Sequence, residues 1–317
     1  MFYRVIGLIL GLFLSALQAD ISMSHGWKIP QTPLYVGGYL SAQYDAQEKH
    51  QASFDDVALL FYGDFDMFHL LGEVEASDIA LDSLDIDAKD LHIERLQLEY
   101  EVSDNAFIRV GKFNSDVGFW NQTPVDALDD TSTSPDILRR VFPKLTTGVL
   151  YHHDMFQDDA SFSLTLQHNQ NIDKDYNNIV VDRHYALAYQ RYEGLFSWRG
   201  NVGYFKEDGI GDAYYMGVGA QMLGDEWTVL GEVFRKNQEH HDIPYDAYLQ
   251  ATWHVLYGQD IVFRTQQYKD VSLAVSENIS LLGYTYRPWA SLALKGAYIR
   301  HSSLDKSRFV FSLSVIF

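Results

Sequence analysis

From Tyr35 to Phe317 the chain repeats one pattern: segments of about ten residues in which apolar and polar side chains alternate, broken by short polar stretches. Alternation with a period of two puts successive side chains on opposite faces of a strand and is not the period of a helix. In the first segment Val36, Leu40, Ala42 and Tyr44 share one face, with Tyr39, Ser41 and Gln43 on the other. Phe68, Leu70, Gly72 and Val74 oppose His69, Glu73 and Glu75, and Leu96, Leu98 and Tyr100 oppose Arg95, Gln97 and Glu99. The last segment is the most regular: Phe309, Phe311, Leu313, Val315 and Phe317 alternate with Val310, Ser312, Ser314 and Ile316. About 16 strands can be counted, with 14 as the alternative, and no linker or low-complexity tract divides them. The expected fold class is all-β, in one domain.

Connections between these strands alternate in length. Asp64-Phe65-Asp66-Met67 and Ser103-Asp104-Asn105 are short turns, whereas Ser77 to Asp90 and Gln170 to Asp182 are longer and polar. An even number of antiparallel strands joined in this rhythm is the layout of a transmembrane β-barrel, with long outer loops and short periplasmic turns. In the second half the contrast weakens, because the connections Glu207 to Asp212 and Ser302 to Lys306 are brief. Tyr44, Trp227 and Trp253 fall at strand ends on the apolar face, where an interfacial girdle requires aromatic rings.

Composition agrees with an exported membrane barrel. Met1-Phe2-Tyr3-Arg4, an apolar run from Val5 to Leu14 and a small-residue region ending at Ala19 have the layout of a secretory signal, so residues 1–19 are read as a leader and 20–317 as the barrel. That run is too short to span a bilayer as a helix. The chain has no cysteine, so a disulfide framework is excluded and stability must come from a closed hydrogen-bond network or a large core. Its formal charge is -19, one unit more negative once Arg4 leaves with the leader, which argues against nucleic acid as a partner. Membrane lipid is the expected surrounding partner.

One connection departs from the rhythm. From Asn114 to Pro143 the strand period is lost for about 30 residues, far beyond the usual loop length. Val117, Phe119, Trp120, Leu128, Ile137, Leu138, Val141 and Phe142 give this stretch apolar anchors, so it is expected to be folded. Ser134-Pro135-Asp136 reads as a helix start with a serine N-cap and proline at the first helical position. Asp126, Asp129 and Asp130 precede that helix, and Arg139 and Arg140 follow. If the flanking strands belong to a barrel, such a loop can fold into the lumen and narrow it.

Strand parity places Arg95, Arg109, Arg199, Arg264 and Lys295 opposite the apolar face, together with Glu73, Glu75, Glu99 and Glu232. A basic side chain facing lipid at mid-depth costs roughly 2 to 4 kcal/mol, so these charges should face water in the lumen. With Asp126, Asp129 and Asp130 on the loop, they are the candidate pore-constriction set, arranged as a transverse field of loop acids against wall bases. Acids of the connection before the fourth strand, Asp82, Asp85, Asp87 and Asp90, concentrate cations at the mouth, but the constriction is expected to outweigh the mouth and to leave a weak net preference, for cations.

Arg109-Val110-Gly111-Lys112-Phe113, followed by Gly118-Phe119-Trp120-Asn121, resembles the strand and loop opening of Gram-negative outer-membrane porins related to the phosphate-selective group. The resemblance covers the whole mature chain in layout. It implies a channel for passive diffusion of ions and small hydrophilic solutes, an inward-folded loop after the fifth strand, a homotrimer, and recognition of the terminal strand ending in Phe317 by the barrel assembly machinery. None of that group's basic phosphate-binding residues aligns onto this chain. An outer-membrane barrel enzyme, or a structural or adhesion barrel, is the alternative reading. No GxSxG elbow or HExxH spacing is present to place catalytic residues, and no cofactor or metal is called for. The pairs His152-His153 and His240-His241 offer ligand-type residues, but adjacent histidines on a strand point to opposite faces, and the second pair reads as part of a solvated loop.

Overall fold

The computed structural model describes residues 26–47, 52–81, 91–123, 129–303 and 307–317. The leader, the four acids from Asp82 to Asp90, Asp126 and Leu128 lie outside these residues. A two-residue strand β1 (Trp27–Lys28) precedes β2 (Leu34–Asp45), β3 (Ala52–Phe65), β4 (Phe68–Ala80), β5 (Leu91–Ser103) and β6 (Ala106–Asn114). Then come β7 (Leu145–Met155), β8 (Ala160–Gln167), β9 (Val181–Glu193), β10 (Phe196–Glu207) and β11 (Gly211–Leu223). The set is completed by β12 (Trp227–Gln238), β13 (Ile243–Leu256), β14 (Gln259–Asp270), β15 (Val275–Trp289), β16 (Leu292–His301) and β17 (Arg308–Ile316).

Each strand from β2 to β17 pairs antiparallel with the next, and β17 returns to β2, giving a closed barrel of 16 strands. In hydrocarbon an unpaired amide has no water to turn to, so a sheet can cross only if it has no edge. At the seam Val310 to Ile316 of β17 face Asp45 to Tyr39 of β2, while Trp27 and Lys28 of β1 pair with Val36 and Tyr35 farther along the same strand. The N–H of Phe317 donates to the Gly38 carbonyl (2.9 Å), and the N–H of Gly38 donates back to Phe317 (2.8 Å). A Cβ on Gly38 would stand 2.4 Å from the Ala58 carbonyl oxygen and 2.9 Å from the Phe317 ring, so only glycine fits there.

The alternation read in the sequence becomes an inside-out distribution of polarity. Along β14, Arg264, Gln266 and Tyr268 are buried inward while Phe263, Thr265 and Gln267 are exposed outward. Trp227 and Trp253 stack on the outer surface, rings 5.6 Å apart, at the end of the barrel carrying the short turns, called here the turn end. At the opposite, loop end Tyr204 lies 5.2 Å from Tyr214 and 6.0 Å from Tyr185.

Two register shifts break the strict parity. Between β2 and β3, Ser41 faces Asp56 but Ala42 faces Phe54, which leaves Asp55 as an extra residue. Between β4 and β5, Glu73 faces Arg95 but Val74 faces Ile93, which leaves Glu94 extra. A bulge re-aims the chain locally. Glu94 and Arg95 are consequently both buried inward, at 6% and 7% exposure, although they are neighbours.

Deleting Phe317 removes both backbone bonds to Gly38 and the ring packed 5.8 Å from Trp27. A several-fold drop in heat-modifiable barrel recovered from membranes is expected; unchanged recovery would show that closure does not depend on this residue.

Candidate interior channel site

The loop between β6 and β7 rests on the inner wall, and its opening motif is what seats it. Gly118 has φ +73°, and a Cβ there would come within 2.7 Å of a Glu232 carboxylate oxygen. Across that bare backbone Glu232 of β12 accepts the N–H of Phe119 (2.7 Å), the N–H of Trp120 (3.4 Å) and the hydroxyl of Tyr248 (2.6 Å). Asn121 ties the two ends of the loop together, its Nδ2 donating to the carbonyls of Ser115 (2.6 Å) and Lys144 (3.0 Å). Before the motif, the Arg199 guanidinium donates to both the backbone oxygen and the carboxylate of Asp116, each at 2.7 Å. Burial alone would raise the Asp116 carboxyl, but Arg199 and the Ser163 hydroxyl hold it below its ordinary value.

The second half of the loop crosses to β13–β15. Thr252 donates to the Asp130 carboxylate (3.1 Å), Thr285 to the Asp130 carbonyl (2.6 Å), and Arg287 to both Asp130 Oδ1 (2.9 Å) and the Asp129 carbonyl (3.1 Å). Arg264 donates to the Thr133 carbonyl (2.6 Å) and hydroxyl (2.8 Å). A short helix α1 (Ile137–Arg140) follows. Its N-cap is Asp136 and not Ser134, with no side-chain capping bond; the Asp136 carboxylate is taken by Arg140 one turn later (3.2 Å). Ile137, Leu138, Val141 and Phe142 pack with inward Phe205, Phe234 and other apolar residues of β9–β13 into one core cluster.

A second connection, residues 168–180 between β8 and β9, also turns inward. Tyr176 donates its hydroxyl to Glu75 and stacks on His92 at 4.2 Å. Burial and the carboxylates of Glu75 and Glu94 push this phenol well above its ordinary value, so it remains a donor. Asn178 binds the carbonyls of Leu138 and Phe142, both at 2.7 Å, bracing the first loop against the second.

Among the described residues the interior keeps several polar cavities that share lining residues. Toward the loop end, a cavity of about 720 Å³ is lined by the acids Asp45, Asp55 and Asp56 and the bases Arg139, Lys144, Lys295 and Arg308, with Arg308 paired to Asp45 of the adjoining strand (3.0 Å). Toward the turn end, one of about 380 Å³ is lined by Arg95, Arg109, Asp116 and His152. Between them lies a neck of about 10 Å³, formed by Tyr39, Glu73, Glu75, Glu94, Arg95, Asn114 and Lys144. Lys144 belongs to the neck and the larger cavity, while Arg95 and Asn114 belong to the neck and the smaller one.

No protein-family profile matches this chain, and no curated protein sequence does. Solved structures do. An anion-selective porin from Comamonas acidovorans superposes with a TM-score of 0.66 at 12% identity, over 90% of this chain and 100% of that one. OmpF of Salmonella typhi gives 0.67 at 14%, over 90% and 97%. The outer membrane channel DcaP of Acinetobacter baumannii gives 0.63 at 12%, over 92% and 100%. The chain has the porin barrel fold.

Within that barrel the sequence-derived charges divide into locked and cavity-lining groups. Arg95 pairs with Glu73 at the neck, and Arg109 with Glu99 (2.7 Å) below it. Arg199 and Arg264 are consumed in holding the loop. Lys295 and Asp129 line the larger cavity, whereas the Asp130 carboxylate is held by Thr252 and Arg287. Loop acids facing wall bases was the expectation. Loop acid Asp130 meets wall base Arg287, and the larger cavity holds Asp129 and Lys295 together with loop bases Arg139 and Lys144 and wall acids Asp45, Asp55 and Asp56. Sequence reasoning missed Glu94 and Asp55, which only the bulges turn inward, and Arg287 and Arg308, which stand near strand ends.

Replacing Glu232 with Ala leaves two loop amides and a buried hydroxyl without an acceptor. A loss of about 3 kcal/mol in loop docking, or on the order of 100-fold faster exchange of the Phe119 and Trp120 amides, is expected by hydrogen exchange; wild-type protection would show the loop is held elsewhere. Acid tests the other tether. A carboxyl whose folded pKa lies below its unfolded value of about 4 stabilises above that value and loses this as pH falls through the folded one. Acidification below about pH 4 should lower the protection factors of the Val117 and Gly118 amides, exchange being referred to the intrinsic rate at each pH, in the wild type but much less in D116N, and equal acid sensitivity in both would remove Asp116 as the cause.

Proposed function

We propose that this protein is an outer-membrane porin, an aqueous channel through which ions and small hydrophilic solutes diffuse passively. The observation that carries it is the sequence of cavities linked by shared residues through a neck of about 10 Å³, room for about one water molecule. Polar atoms line this path while the outer wall is apolar, which is the partition a water-filled hole through lipid requires. The inward loop constricts the path at Lys144, opposite Tyr39, Glu73, Glu75 and Glu94.

Selectivity follows from the charges within a screening length of a passing ion, about 8 Å at physiological salt. At the neck Glu73, Glu75 and Glu94 outnumber Arg95 and Lys144, and Arg95 is already paired with Glu73. This gives a weak preference for cations, opposite in sign to the neighbour titled anion-selective. The motif that resembles porins related to the phosphate-selective group seats the loop on Glu232, and phosphate selectivity is no part of the proposed function.

Reversal potentials of the purified protein in planar bilayers under a salt gradient test this. A small cation-selective potential is expected. E94Q and the double variant D55N/D56N should each move it toward anions, and D130N should move it less because Asp130 is held by Arg287. No conductance would end the channel reading; no shift at low salt in the first two variants would remove those acids from the permeation path.

A further inference from the structure

The outward wall carries a second kind of site. One apolar groove of about 580 Å³ runs across β9–β13, where Gly200, whose Cβ would meet open space, leaves its floor bare between Leu187, Val202, Met216 and Val233. Another, of about 420 Å³, runs across β13–β16 between Leu249, Phe263, Leu282 and Tyr298. Each has an arginine in its wall, Arg235 in the first and Arg300 in the second, both on the exposed face of their strands. Arg183 and Lys269 share that outward face toward the loop end.

These four cations differ from those inside. Arg95, Arg109, Arg199, Arg287 and Arg308 each meet a carboxylate. Among the described residues, Arg183, Arg235, Lys269 and Arg300 have no acidic side chain within ion-pair distance. At the turn end the exposed charges are mainly of the other sign, with Asp64, Asp66, Glu101, Asp104, Asp225 and Glu226 on the rim. Apolar grooves bordered by guanidinium groups that meet no acid among the described residues, toward the loop end of the barrel, match a molecule with acyl chains and a phosphate. Arginine offers phosphate two parallel donors, and the chains exclude water from the groove.

We propose that the outward, loop-end face of β9–β16 binds a phosphorylated membrane lipid, its acyl chains in the two grooves and its phosphates on Arg235 and Arg300. A second copy of this chain fits less well. Barrels lying parallel in one membrane meet at equal depth, and at this depth the outward strand acids are already engaged, Asp182 by Lys206 and Gln170 and Asp212 by Tyr204. This site rests on the barrel lying in a membrane, which conductance of the same preparation reports separately.

Native mass spectrometry of the full chain in detergent, titrated with dioleoyl phosphatidic acid or dioleoyl phosphatidylcholine, is the test. The wild type should retain phosphatidic acid preferentially. R235A/R300A should lose this retention roughly tenfold while its phosphatidylcholine binding and its conductance stay unchanged; R235Q/R300Q, which keeps more of the side-chain bulk, serves if the alanine variant fails to assemble. Equal retention by variant and wild type overturns the proposal. So does displacement of phosphatidic acid by millimolar inorganic phosphate, which would mark a soluble-anion site, or an oligomer that covers the grooves and binds no phosphatidic acid.

Discussion

The pairing of β17 with β2 is the interaction on which everything else in this molecule depends. A sheet in hydrocarbon cannot leave a row of amides without partners, so the chain must return to its first strand. Once it does, the polarity of the whole protein is fixed: apolar side chains face out and polar ones face in. Charges enclosed in this way are costly unless paired. The interior accordingly answers each of several bases with an acid, Arg109 with Glu99, Arg199 with Asp116, Arg287 with Asp130 and Asp260, and Arg308 with Asp45.

A polar interior is a poor place to fold a loop, and the β6–β7 loop solves this locally. Where it packs, the wall abandons polar-inward alternation: Val181, Ala186, Phe205, Ala213, Phe234 and Ile243 point inward and are buried with Ile137 and Phe142. The barrel therefore contains a small conventional core on one side and water-lined space on the other. Hydrogen bonds to Glu232 and Arg264 orient the loop, while apolar burial supplies most of the driving force.

Much of this was legible in the sequence because lipid imposes a period of two. That period gives about 16 strands, with 14 left open, their faces, and the inward position of Arg95, Arg109, Arg199, Arg264 and Lys295. The unused signal for the docking surface was equally present: on β10 to β13, Phe205, Ala213, Phe234 and Ile243 are apolar at positions parity assigns to the lumen. Glu94 and Asp55 were not legible, since a bulge is one extra residue in a ladder and only the register of the partner strand reveals it. Nor does local sequence show that Tyr176, on another loop, reaches Glu75.

The bulges also add wall acids that a simple loop-against-wall picture does not contain. A carboxylate near a guanidinium in a low-dielectric setting is captured by it, and Asp130 lies within reach of Arg287, so that loop acid acts as a fastener. Arg139 is left exposed to the cavity, and Lys144 reaches Glu94 at 3.3 Å. Opposite these bases, two extra residues inserted into β3 and β5 place Asp55 beside Asp56 and Glu94 beside Arg95. Parity permits one inward side chain for every two residues; a bulge permits two in succession. Two inserted residues therefore add one carboxylate, Glu94, to the neck and another, Asp55, to the larger cavity without lengthening the barrel, and so shift the local charge balance of the interior where the net charge of the chain gives no hint of it.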